Sequence, residues 1–377
     1  MKEQLYKQKI VIVIIIITIL CSLLFQKCFM KDYSRINNST TDYVCAKVID
    51  ITNNNINYDE NLHIYLGIQE IKVEIQEGKN KGKEVVLKNY LTATHNVKVS
   101  IGSKIIVTAD EPEGIEAYYT VYNFDRSFGI SLFTAVLFLL IIAIGKSKGV
   151  KSILALLYTL YIVVYLLLPA VFSGYSPIFM TMITIILSTI VTLLLLNGES
   201  QKTYSAILST ISGVVLSGLC FSIMSIILHL NGFSSNEAES LVLINQATGL
   251  SIKDVLFAGI LISSLGAIMD VGMSIVSSLY EIFRHKPDLS MKELYHSGIE
   301  IGKDMIGTMT NTLILAFTGS AFISLLVLFS FHVDIKQILN SNYLMIEFAQ
   351  GIAGTLGIVL TVPLSSLISS YSLTKHN

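Results

Sequence analysis

The sequence predicts an all-α polytopic membrane bundle with a small extracytoplasmic all-β domain inserted after its first helix. Three observations carry that prediction. Of 377 residues 52% are hydrophobic and only 14% are charged, whereas a soluble domain carries about a quarter charged residues. The apolar residues gather into eight runs that read as membrane-crossing helices. Between the first run and the second lies a polar stretch with short alternating segments, the pattern of half-buried strands.

In chain order, residues 1–26 form a short basic tail (Lys2, Lys7, Lys9) and an apolar run from Ile10 to Phe25. No small-residue cleavage site follows that run, and Thr18-Ile19-Leu20 is too bulky to precede a lipidated Cys21, so an uncleaved anchor is expected. Residues 27–126 are the β domain, an OB- or SH3-like barrel or a sandwich. Its strand candidates are Ile71–Ile75, Val85–Leu87, Val97–Val99, Ile105–Val107 and Tyr118–Tyr122, with turns at Glu77–Asn80 and Gly102–Lys104. Residues 127–377 hold seven further spans: Gly129–Gly145, Ile153–Phe172, Ile178–Leu196, Tyr204–Leu228, Asp254–Phe283, Met305–Phe331 and Met345–Ser370.

Ser234 and Glu237 have capping-box spacing and predict a short helix ending at Gly249. Ser251 with Asp254, and Ser290 with Glu293, repeat that spacing at two longer helices. Lys and Arg settle orientation. Lys146, Lys148, Lys151, Lys202, Arg284, Lys286, Lys292, Lys303 and Lys375 fall on the side of the N-terminal lysines. The opposite short loops hold only Lys253 and Lys336. Both termini are therefore expected in the cytoplasm and the β domain outside, in the cell membrane. The lipid bilayer is the first partner.

The net charge of −1 gives no attraction to nucleic acid, which is not expected as a partner. The four cysteines, Cys21, Cys28, Cys45 and Cys220, make no zinc-ligand spacing, and nothing compels Cys28 and Cys45 to pair. No phosphate-binding loop, HExxH or nucleophile elbow occurs, so neither an enzyme nor a cofactor or metal site is expected.

The chemistry concentrates in Asp254–Phe283. Gly259, Ser263, Gly266, Asp270, Ser274, Ser277 and Glu281 follow steps of three and four and share one helical face. Leu256, Ile260, Ile262, Leu265, Ile268, Val271, Ile275, Leu279 and Ile282 lie off it. Such a helix is expected to turn its small, polar stripe toward other protein and its bulk toward lipid. A carboxylate near mid-membrane costs roughly 2.5–3.5 kcal/mol on insertion scales. No Lys or Arg lies inside the predicted spans to offset it. Asp270 is thus a candidate proton or cation site, against the plainer reading of one interhelical hydrogen bond.

By depth, Asn311, Thr312, Thr318 and Ser320 in the next span bracket Asp270, and Thr308 lies nearer the cytoplasmic mouth. His296, Glu300 and Asp304 share a face on the helix leading into that span. A solvated face is the simpler reading there, with Glu300 and Asp304 as candidate cytoplasmic relays. Glu347 is a candidate outer entry, and Gly351, Gly354 and Gly357 are expected to permit close helix contact.

Ser263-Ser264-Leu265-Gly266-Ala267-Ile268-Met269-Asp270-Val271-Gly272-Met273-Ser274-Ile275 resembles a signature of the YibE/F-like membrane proteins of bacteria. The run Ser297–Leu313 is similar to that family's second signature, and Gly82–Leu91 and the stretch from Arg126 also look similar. The resemblance extends from about residue 70 to the end. It implies a polytopic inner-membrane protein with one extracytoplasmic β domain before the helical bundle, and no activity. The expected function is a secondary permease or ion-coupled transporter for an unknown ion or small molecule. The alternative is a non-transporting scaffold or sensor, whose β domain binds an extracytoplasmic protein partner or whose bundle forms a homo-oligomer.

Overall fold

The computed structural model describes residues 2–29, 41–110, 117–230 and 238–375. The chain divides into two compact units, residues 34–140 and the remainder.

In the first unit β1 (Thr41–Asp59), β2 (Ile64–Ile75), β3 (Glu84–Leu91), β4 (Lys104–Asp110) and β5 (Tyr118–Phe124) form one antiparallel sheet of order β3-β2-β1-β4-β5. The sheet curls until β3 lies against β5. Alternation puts Val44, Ala46, Val48, Ile71, Val73, Ile105 and Val107 on the inner face, where they form the core. The strand β1 is not evident in the sequence, because Asn53-Asn54-Asn55 reads as a turn. Pairing with β2 carries it through that run, with irregularities between Val48 and Asp50 and between Ile51 and Asn53.

The expected strand at Val97–Val99 does not join the ladder. Side-chain amides take its backbone groups instead. Asn89 Nδ2 donates to the Val97 carbonyl (2.8 Å), Gln69 Nε2 to the Val99 carbonyl (3.2 Å), and the Val99 N–H donates to Gln69 Oε1 (3.1 Å). Both amides are fully buried, so the segment closes the core without being a strand.

Helices make up the second unit, apart from the start of α2. They are α1 (Lys2–Phe29), α2 (Ser127–Ile162), a π-turn (Val163–Leu167), α3 (Leu168–Phe172), α4 (Pro177–Asn197), α5 (Gln201–Ile227), α6 (Ala238–Thr248), α7 (Ile252–His285), α8 (Met291–Ser330), α9 (Ile335–Leu339) and α10 (Asn342–Thr374). Among the described residues seven helices are long and apolar enough to cross a membrane, and one of these covers 46 residues from Ser127 to Phe172. That stretch is not straight. Lys146 sits at φ 49°, ψ −127° between two helical segments. Gly149 packs against the Ile141 carbonyl, a pair that an unbroken helix would hold about 12 Å apart along its axis. The chain doubles back there.

The expected caps form. Ser251 accepts from the Asp254 N–H, and Ser290 and Glu293 make a reciprocal capping box. Gly249 ends α6 at φ 72°, a conformation costly for other residues. The Ser234–Glu237 cap lies outside the described residues. All four cysteines are free thiols.

Close packing in the bundle rests on small residues. Gly298 and Gly302 of α8 abut Ser366 and Val362 of α10. Gly354 abuts Leu313 and Ser264, and Gly357 abuts Ser217 and Ile268. Side chains at these glycines would hold the helices apart, and van der Waals contact is the main attraction between helices in lipid.

Candidate functional site

Helix α7 sits among α4, α5, α8 and α10. Its bulky residues Ile260, Leu265, Ile268, Val271, Ile275 and Leu279 are buried in that packing. Its small polar stripe lies on the other side, with Gly259, Ser263, Gly266, Asp270 and Glu281 exposed and Ser274 and Ser277 half-buried. This reverses the orientation expected from the sequence. The physical reason is that α5 and α10 bring their own small residues to the crossing. Their glycines and serines leave room for the branched side chains of α7, so its bulk faces inward.

Asp270 is held by a continuous helix and makes no hydrogen bond or ion pair among the described residues. Its depth relative to α8 follows from two contacts. Leu279 lies against Gly298, while Ser264 and Leu313 both meet Gly354. Counting nine residues along each helix from the first pair, or six from the second, places Asp270 level with Gly307. Thr308 is the adjacent residue, and Asp304 and Asn311 are one turn below and above.

Thr312 is five residues above Gly307 and Thr318 eleven, about 16 Å along the axis. Thr318, and Ser320 beyond it, are therefore not at the level of Asp270. The expectation placed them there by treating Arg284 and Lys303 as equally deep. Helix α8 has already climbed ten residues between the level of Arg284 and Lys303.

The candidates on α8 face outward. Thr308, Asn311, Thr312 and Thr318 are exposed, and Asn311 makes no hydrogen bond. The threonine hydroxyls donate to their own helix: Thr308 to the Met305 carbonyl (3.2 Å), Thr312 to Thr308 (2.9 Å) and Thr318 to Ile314 (2.8 Å). Each keeps lone pairs free to accept. Glu300 is ion-paired with Lys303 at 2.5 Å on an exposed face, while the Asp304 side chain is exposed and unpaired. Glu347 is half-buried on α10, where Ser320 Oγ donates to it at 2.9 Å. Thr308 is thus near the level of Asp270 and Asp304 is one turn below it, and all three are exposed. Thr318 lies farther along α8, where Ser320 meets Glu347 of α10.

Sequence reasoning missed the polar interior of the bundle. Thr203, Ser205, Ser209, Thr210 and Ser217 of α5 are buried, as are Thr361, Ser365, Ser366, Ser369 and Ser370 of α10, and the two helices meet where Gly213 abuts Thr361 and Gly357 abuts Ser217. Thr361, Ser366 and Ser370 donate to the carbonyl four residues back, but Ser365 and Ser369 have no partner. At the end of α7 nearest His285, Tyr280 joins Ser205 (3.1 Å) and Ser372 (3.0 Å). The signal was present as the four-residue repeats Ser205-Ser209-Gly213-Ser217 and Thr361-Ser365-Ser369.

Outside the spans, Cys45 Sγ lies 3.7 Å from Asp125 Oδ2. Burial, and then the Asp125 charge, push the thiol above its ordinary range. The Ser127 hydroxyl and N–H hold the Asp125 carboxyl below the usual carboxylate range.

Long apolar helices packed through small residues, with one unpaired acid in the middle of a span, define a polytopic membrane protein. A family model described as YibE/F-like protein matches residues 133–375, and the chain belongs to that family. The matched region contains both α7 and α8, whereas the β domain lies outside it. No curated protein and no solved structure matches the chain.

Proposed function

We propose that the protein is a secondary permease or ion-coupled transporter of the bacterial cell membrane, with Asp270 as its proton or cation site. One observation carries this reading: an ionisable side chain without a protein partner at mid-span, level with Gly307 and Thr308. The hydroxyl of Thr308 and the amide of Asn311 are neutral ligands for the species that Asp270 binds. Asp304 relays from the cytoplasmic side. The route follows the outward α7–α8 surface rather than the axis of the bundle.

The reversal at Lys146 supports eight crossings, with both termini in the cytoplasm and the β domain outside. The strand order, with β3 against β5, fits the five-stranded Greek-key barrel of OB type.

Proteoliposomes carrying a pH-sensitive dye test the transport reading. A panel of cation gradients should change internal pH with the wild-type protein and not with Asp270→Asn. Equal responses from both would defeat it.

The scaffold or sensor reading draws on a different observation. Tyr43 and Tyr122 stack edge-to-face at 4.9 Å on the outside of the sheet, where both are exposed, with Tyr118 exposed nearby. Exposed aromatic clusters favour protein partners. Under that reading Tyr43→Ser abolishes capture of an extracytoplasmic partner and Asp270→Asn leaves it unchanged.

A further inference from the structure

Two fully buried hydroxyls, Thr189 of α4 and Ser365 of α10, have no hydrogen-bond partner among the described residues. They come from different helices, yet both lead to Gly272 of α7. A methyl carbon at Gly272 would stand 3.4 Å from Thr210 Oγ1, and 3.6 Å from Ser365 Oγ and from the Thr361 methyl. Those are ordinary contact distances. The bare backbone of α7 therefore leaves room there, and hydroxyl oxygens of α5 and α10 border it. Thr210 donates its proton to the Ala206 carbonyl at 2.9 Å, which leaves its lone pairs to accept.

Thr189 reaches the same level. Gly218 meets Leu261, Gly213 meets Ile268 and Gly272 meets Thr210, so α5 and α7 run antiparallel. Only residues 198–200 separate α4 from α5, so α4 turns back into α5 and runs parallel to α7. Leu193, Ala206 and Val276 form one buried cluster of these three helices. One turn from it, in the same direction, lie Thr189, Thr210 and Gly272. Thr189 shares its helix face with Leu193 and with Ile185, which is buried in the cluster of Val214 and Ile268. Its side chain faces the same junction.

A buried hydroxyl without a partner is costly. We propose that a water molecule binds at this junction, accepting from Ser365 and Thr189 and donating to Thr210. Buried waters make about three hydrogen bonds to groups that are otherwise unsatisfied, and the junction supplies three. A cation would need a counter-charge there, and the nearest acid on α7, Asp270, lies on its exposed side. The water ties α4 and α10 to α5 across α7. Glycine at 272 permits this, and a side chain there would displace the water. The inference stands on packing and does not depend on transport.

A map of the full-length protein that resolves ordered solvent tests it without any substitution. Density should stand about 2.7–3.0 Å from both Thr210 Oγ1 and Ser365 Oγ, and its absence would overturn the proposal. Thermal unfolding in detergent supplies a second test. Ser365→Ala and Thr189→Val each remove one hydrogen bond to the water and should each lower the midpoint by about 2–4 °C. Because they share one ligand, the double variant should lose less than the sum. Gly272→Ala should lower the midpoint of the wild type and spare the double variant. A midpoint raised by any of the three single changes would mean a dry junction and overturn the proposal, as would additive losses. So would a wild-type midpoint higher in sodium than in potassium at equal ionic strength, with the difference lost in the double variant, because that would assign the site to a cation.

Discussion

Replacing Gly302 by alanine puts a methyl group where the Val362 side chain of α10 already lies. Val362 is 2% exposed and packs in the main cluster of the bundle, so it has little room to move. Forcing an extra carbon into a packed contact costs about 1–3 kcal/mol. Trimming Val362 to alanine alone costs about 1–2 kcal/mol in lost contacts. The two changes are complementary, because the shorter side chain vacates the volume the new methyl needs. The double variant should therefore fall short of the summed cost by about 1 kcal/mol or more. The assay is thermal unfolding of the detergent-solubilised protein, followed by circular dichroism because the chain has no Trp. For a unit of this size each kcal/mol moves the midpoint by about 2–4 °C. Additive losses, or a Gly302→Ala variant as stable as wild type, would refute close packing of α8 on α10 at this point.

Four further expectations concern other parts of the chain. Asn89→Ala strips the Val97 carbonyl of its donor in a buried site, a loss of about 1–3 kcal/mol. Limited proteolysis should then cut the β domain before the bundle. Asp125→Asn removes one of the two main influences that raise the Cys45 thiol, so alkylation of Cys45 at pH 8 should accelerate. Burial, the larger influence, remains, so the thiol stays above its ordinary range. The lowered Asp125 carboxyl also favours the fold above its unfolded pKa. That contribution fades as pH falls through the lowered value, and Asp125→Asn should abolish this part of the acid sensitivity. Finally, a cysteine replacing Lys148 should react with an impermeant thiol reagent from the cytoplasmic side only, if residues 127–172 cross twice.

The architecture was legible because hydropathy, capping and turn chemistry are local. Ser251 and Ser290 start helices where their spacing said they would. Helical periodicity also identified the stripe through Asp270. It could not say which side of α7 faces inward, because that depends on what α5 and α10 present. In lipid neither a bulky face nor a small one is driven inward by water. Depth failed for a related reason: Lys303 was treated as a membrane boundary, but contacts at Gly298 and Gly354 set the true offset. The strand β1 was hidden because pairing with β2 overrides the turn preference of its asparagines. The segment Val97–Val99 was misread because the sequence pattern does not show that Gln69 and Asn89 reach across to it.

The most direct test of a functional acid at Asp270 is complementation of a strain lacking this protein, read as cellular metal and metabolite profiles. Wild type should restore the profile, while Asp270→Asn, accumulating in the membrane to the same level, should leave it as in the deletion. Full restoration by Asp270→Asn would contradict the account.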